Sequence, residues 1–276
     1  MFPRWFLRSF LCGLCFLAAI PVALPALQGN GWELENFDTK LETGDVLKSI
    51  LDAAPKRYEK FFEDIGLTKN QDRRIRLKVF PTKEAFKDYQ QKNSQSKSDH
   101  AYFSLFNFEV VTWNSKNQND LVQNVLHELT HDRIRLFISD ERIPRCLDEG
   151  LGEIFEAAQV SGANISIGSM PQDWRDLLKK AVANSEIKPF SYFLEMAPRE
   201  FVGYRHANLE HLQIAQCWAQ SHFLYFYKSG EFRPFLKVML EEGVKPGSLL
   251  DLYKKSKISM PYADMEENWA AFLRQI

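Results

Sequence analysis

His127-Glu128-Leu129-Thr130-His131 reads H-E-x-x-H, and Asp148-Glu149-Gly150-Leu151-Gly152-Glu153 follows it, with Glu149 eighteen positions beyond the second histidine. On a helix, i, i+4 spacing stacks His127 and His131 on one face, one turn apart. That arrangement suits two nitrogen ligands of a tetrahedral Zn²⁺, and it leaves Glu128 displaced enough to address a metal-bound water. With 6 histidines in 276 residues, the pattern arises by chance in about 1% of such chains. Its surroundings favour a packed helix over an exposed one carrying the residues by accident. Asn119 or Asp120 can cap a start, and Leu121, Val122, Val125, Leu126 and Leu129 form an apolar stripe. The helix is expected from about Asp120 to Phe137.

Two histidines leave zinc short of ligands. Glu149 is the best third ligand, because Pro144 opens a second helix and the intervening residues suffice for an antiparallel return. Asp148 reads simply as an acidic residue at a helix start, whereas Glu149 is followed by Gly150 and Gly152, which permit close helix approach. Glu149, Glu153 and Glu156 share a face, while Ile154, Phe155 and Ala158 point elsewhere. Glu153 can accept from the free ring nitrogen of a ligating histidine and fix its tautomer. Three protein ligands keep a fourth position for water, whose pKa zinc lowers towards ~7. Glu128 then acts as general base, and zinc supports the oxyanion with one further donor. Tyr204, His206 and His211 are the candidates for that donor. His222, among Trp218, Phe223, Leu224 and Phe226, reads as a core histidine, and His100 receives no role.

The rest of the chain sets the context. Lys+Arg 35 against Asp+Glu 36 gives no reason to expect nucleic acid or an anionic membrane as partner, and 45% hydrophobic content with 22 phenylalanines predicts an aromatic-rich core. Arg4 and Arg8 precede an apolar run from Phe10 to Leu24 and small residues near Ala26. This is the layout of a secretory signal, or of an uncleaved anchor. Export to a periplasmic or extracellular location is expected, with membrane association only through that segment. Cys146 and Cys217 remain beyond it; a disulfide and two separate buried thiols are both open. Cys146 is excluded as a ligand because it would compete with Glu149 for one coordination position.

Periodicity predicts a helix over Asp45–Gly66, a half-buried strand over 74–80, and a helix from the Thr82 cap to about Gln91. A polar loop follows over 93–99, then one or two strands between Ala101 and Trp113, with Asn107 at the turn. Beyond the second site helix, 162–171 reads as a loop holding a short strand. Helices are expected near 173–183, 190–196, 209–228, 232–242 and from 263 to the end. The fold class is therefore α+β: residues 1–26 a signal or anchor, 30–116 a small N-terminal α/β part, 117–276 a zinc-binding helical part, the two parts forming one catalytic unit. If Phe108–Trp113 is a sheet edge, an extended peptide can pair with it across the metal; otherwise it is a covered interior strand.

His127–His131 together with Pro144-Arg145-Cys146-Leu147-Asp148-Glu149-Gly150-Leu151-Gly152-Glu153-Ile154-Phe155-Glu156 resembles the gluzincin metallopeptidases of the bacterial peptidase-MA-like type. The segment Ala215-Gln216-Cys217-Trp218-Ala219-Gln220-Ser221-His222-Phe223-Leu224 is similar to a later helix of that group. The resemblance spans roughly 45–242 and is specific at the two motifs. It implies a zincin-like fold, zinc held by His127, His131 and Glu149, Glu128 as general base, and a peptide or protein substrate. Three positions depart from the family pattern: Cys146 stands for an aromatic, Gly152 for alanine and Ile214 for a tyrosine. Hydrolysis of a non-protein amide such as a cell-wall cross-link, and a non-catalytic zincin-fold binding protein, are the alternative readings.

Overall fold

Strict alternation along Ile75–Phe80 places Ile75, Leu77 and Val79 on one side of a strand, and that strand is the centre of a five-stranded sheet. The computed structural model describes residues 26–36, 44–115, 117–204 and 210–276. The expected signal or anchor segment, save its last residue, lies outside them. The strands are β1 (Leu27–Gly29), β2 (Trp32–Asn36), β3 (Ile75–Phe80), β4 (Ala101–Ser104) and β5 (Glu109–Trp113), in spatial order β1-β2-β3-β5-β4. β2, β3 and β5 are mutually parallel, while β1 and β4 run antiparallel at the two edges. A separate hairpin joins β6 (Gln159–Ser161) to β7 (Asn164–Ser166), with Gly162 at φ 57° in its turn.

The helices are α1 (Gly44–Ile65), α2 (Lys83–Asn93), α3 (Gln118–Ile134), α4 (Arg145–Glu156), α5 (Gln172–Ala183), α6 (Phe190–Leu194), α7 (Pro198–Tyr204), α8 (Glu210–Phe226), α9 (Arg233–Glu242), α10 (Leu249–Lys255) and α11 (Tyr262–Gln275). The chain is α+β, with a small mixed sheet and a mostly helical remainder. Gly66 ends α1 in the left-handed region (φ 88°), and Thr82 caps α2 by accepting from the Ala85 amide. α3 begins two residues earlier than expected, because Asn117 rather than Asn119 or Asp120 caps it, accepting from the Asn119 amide.

One continuous core runs from Trp32 and Leu34 on the sheet through α1, α3 and α4 to α8 and α11. Aromatic residues carry it: Tyr58 stacks on Phe155 with centroids 4.0 Å apart, and Phe61 on Tyr225 at 4.2 Å. The buried Tyr58 hydroxyl donates to the Leu126 carbonyl, which locks α1 onto α3. α2 covers the opposite sheet face, where Phe80, Phe86, Tyr102 and Val111 form a smaller cluster.

β5 decides between the two readings that the sequence leaves open. It lies between β3 and β4, so Phe108–Trp113 is the covered interior strand and the edge nearest α3 is β4. The strands β1 and β2 had no counterpart in the sequence reading.

Candidate metal centre

α3 packs against α4 and against strands β4 and β5, bringing the two motifs together. His127, His131 and Glu149 each offer a ligand atom, and these atoms all lie within 4.8 Å of one another. His127 Nε2 is 3.6 Å from Glu149 Oε2, and the two imidazoles stand with centroids 5.0 Å apart at 70°. The approach of α4 depends on its glycines. A Cβ at Gly150 would lie 2.2 Å from the Cys217 carbonyl oxygen of α8, and one at Gly152 would lie 2.9 Å from His127 Cε1 and Nε2. The sequence signal of two glycines after Glu149 therefore has two meanings. Gly150 admits α8, and Gly152 admits an imidazole.

Each imidazole is anchored through Nδ1. His127 Nδ1 lies 2.8 Å from Glu156 Oε2, and His131 Nδ1 lies 2.8 Å from Asp148 Oδ1. With Nδ1 carrying the proton towards a carboxylate, both Nε2 atoms present lone pairs to the shared centre. Glu153, expected to be the outer carboxylate, stands further off, 3.8 Å from His127 Nδ1, and accepts from the Trp174 indole N–H at 3.1 Å. The sequence reading missed the Nδ1 roles of Asp148 and Glu156. Asp148 has a positional excuse as an acidic residue at a helix start, whereas Glu156 had already been placed on the face of Glu149.

Asp148 is buried and saturated. Besides His131 it accepts from Arg135 at 3.2 and 3.0 Å and from Arg145 at 3.0 Å. Burial alone would raise its pKa, but the charges of His131 and Arg135 hold it well below the usual carboxylate range. Burial likewise opposes charge on His127, yet the neighbouring carboxylates of Glu149 and Glu156 outweigh it and push the imidazole well above its ordinary value. Glu153 is raised to about 7, by burial first and then by the charge of Glu156. Carboxylates thus surround two imidazoles whose Nε2 atoms converge with Glu149. This donor set of two nitrogens and one oxygen fits a divalent cation of borderline softness such as Zn²⁺.

Glu128 lies beside the convergent donors without joining the group. Burial raises its pKa against the lowering influence of the His131 and His127 charges.

The donors line a cleft of about 920 Å³, walled by β4 with the preceding loop on one side and by Val202, His211 and Ile214 on the other. His211 is exposed at the start of α8. His206 lies outside the described residues, as does the side chain of Tyr204 at the end of α7. His100, given no role, lines the cleft at the head of β4. His222 packs between Trp218 and Phe226 and stacks on Phe272, with Nε2 3.4 Å from the Gly168 carbonyl, far along α8 from the cleft wall. Cys146 and Cys217 are buried free thiols, and Cys146 donates to Gln220 Oε1. Among the described residues no helix is long and apolar enough to cross a membrane. No protein-family model matches the chain, and no curated protein matches it either.

Proposed function

We propose that this chain is an exported zinc-dependent peptidase of the gluzincin type, hydrolysing peptide bonds with Glu128 as general base and His127, His131 and Glu149 as metal ligands. The observation that carries the reading is the convergence of three donor atoms within 4.8 Å while Glu128, one residue from His127, stays outside the set. A bound Zn²⁺ would supply a Lewis acid and acidify a water towards neutral pH.

The protein's own groups supply the rest. Glu156 and Asp148 keep the Nδ1 protons of His127 and His131 in place, so both rings present Nε2 in one tautomer. Glu128, on the cleft lining and shifted upward by burial, is the group to take a proton from the attacking water and return it to the leaving amine. β4 is an edge strand on the cleft wall, where an extended peptide can add as a further strand. Phe103 and Leu105 on that wall, with Val202 and Ile214 across the cleft, give apolar contacts for substrate side chains. Of the three oxyanion candidates, His211 is the one described on the cleft wall. Export rests on the basic–apolar–small layout of residues 1–26.

The test is a peptide-cleavage assay on zinc-loaded protein beside its Glu128→Gln variant. Cleavage by the wild type, lost by at least ~100-fold in the variant with zinc retained, is the expected result. Equal cleavage by the two would overturn the role of Glu128, and a zinc-loaded wild type inert towards peptides would overturn the substrate class.

A further inference from the structure

The cleft is polarised along its length. Near His127 it is lined by Glu153 and Glu156, and near His131 by Arg135 and Arg145. α3 places Arg135 one turn beyond His131, and both arginines meet His131 at the single carboxylate of Asp148.

The two guanidiniums differ in what remains available. Arg135 is 5% exposed, holds both oxygens of Asp148, has Asp140 as a second carboxylate partner, and lies over the Phe103 ring at 5.5 Å. Its charge is spent internally. Arg145 keeps 33% of its side chain exposed, and its Nη1 donates to Asp148 Oδ2, an oxygen already engaged by Arg135. Among the described residues no second carboxylate lies within ion-pair distance of it. A guanidinium carries five donors in a planar fork matched to carboxylate. Arg145 also occupies the first position of α4, where the helix dipole disfavours a cation, so helix stability does not account for it.

From this geometry we infer that Arg145 marks an anion-recognition subsite at the His131 end of the cleft, which takes a substrate carboxylate, either an acidic side chain or a chain terminus. The inference rests on the peptidase reading and sharpens it: the substrate carries negative charge at a fixed distance from the bond cleaved.

The probe is the zinc-loaded Glu128→Gln protein, titrated calorimetrically with one extended peptide in four forms. These carry Glu or Gln at an internal position, each with a free or amidated C-terminus. At least one carboxylate is expected to tighten binding about tenfold over its neutral counterpart, equivalent to 1.4 kcal/mol. The internal pair and the terminal pair tell the two carboxylate sources apart. Adding Arg145→Ala should abolish that difference, and Arg145→Lys, which keeps charge without the fork, should retain part of it. Equal binding of all four peptides, or discrimination that survives Arg145→Ala, overturns the subsite and leaves the peptidase reading standing. Failure of every peptide to bind overturns both.

Discussion

Replacing Gly152 by alanine separates the metal centre from the fold that carries it. An added Cβ would stand 2.9 Å from His127 Cε1 and Nε2, against ~3.5–4.0 Å for a relaxed carbon contact. The imidazole must therefore retreat by about 0.6 Å or more. Metal–ligand distances tolerate about 0.2 Å, so a ligand atom displaced that far loses its place. Disturbing the groups that orient ligands typically costs 10–100-fold in metal affinity, which is about 1.4–2.8 kcal/mol. The backbone effect has the opposite sign, since alanine in a helix interior is favoured over glycine by about 1 kcal/mol. In metal-free protein the ring can swing aside, so the melting temperature should hold or rise while zinc affinity falls. Competition with a chromophoric zinc chelator, alongside thermal unfolding of both apoproteins, reads the two effects separately. An affinity within twofold of wild type would refute the placement of the His127 ring against α4. That result would indict this imidazole pose rather than the ligand set.

Other substitutions have different signatures. Gly150→Ala should destabilise the fold by about 3 kcal/mol or more, because its Cβ would meet the Cys217 carbonyl at 2.2 Å and backbone cannot swing aside; urea unfolding checks this, and a wild-type midpoint would refute the close α4–α8 contact. Asp148→Asn leaves Arg135 and Arg145 sharing a neutral partner deep in the protein and should cost about 3 kcal/mol, together with a loss of zinc affinity through His131; a stability change below about 1 kcal/mol would contradict the buried network. His222 gives a pH signature. Burial lowers its pKa below 6.5, against a raising hydrogen bond to Gly168, so the unfolded chain takes up a proton that the folded one refuses. The stability contribution is intact above pH 6.5 and declines as pH falls below it. His222→Phe should flatten that part of the stability–pH curve, and an unchanged slope would show that His222 does not produce it.

The helices were the legible part of the chain because their signals are local. The stripe from Leu121 to Leu129, the Thr82 cap and the Gly66 terminator each act within a turn or two, and α1, α2 and α3 form close to where they were expected. Strand order is not local. β5 is rich in β-branched residues in either setting, and only its pairing with both β3 and β4 makes it interior. β1 and β2 escaped notice because they are short and follow directly on the long apolar run of residues 10–24. At the site, the phase of α4 put Glu149, Glu153 and Glu156 on one face, as helical spacing requires. Which of them meets His127 Nδ1 depends on the crossing of α3 and α4, which Gly152 allows and no spacing encodes. Arg135 is the clearest case of what a sequence withholds. Its role follows from converging with Arg145 on Asp148, three residues whose meeting is wholly tertiary.

The central claim is that His127, His131 and Glu149 together hold one zinc. Elemental analysis of protein purified without chelators, with Glu149→Ala beside it, addresses this most directly. One zinc per wild-type chain and a weakly held or absent metal in the variant is the predicted result. A wild type without zinc that also fails to take it up, or a variant that binds it as tightly as wild type, would contradict the assignment.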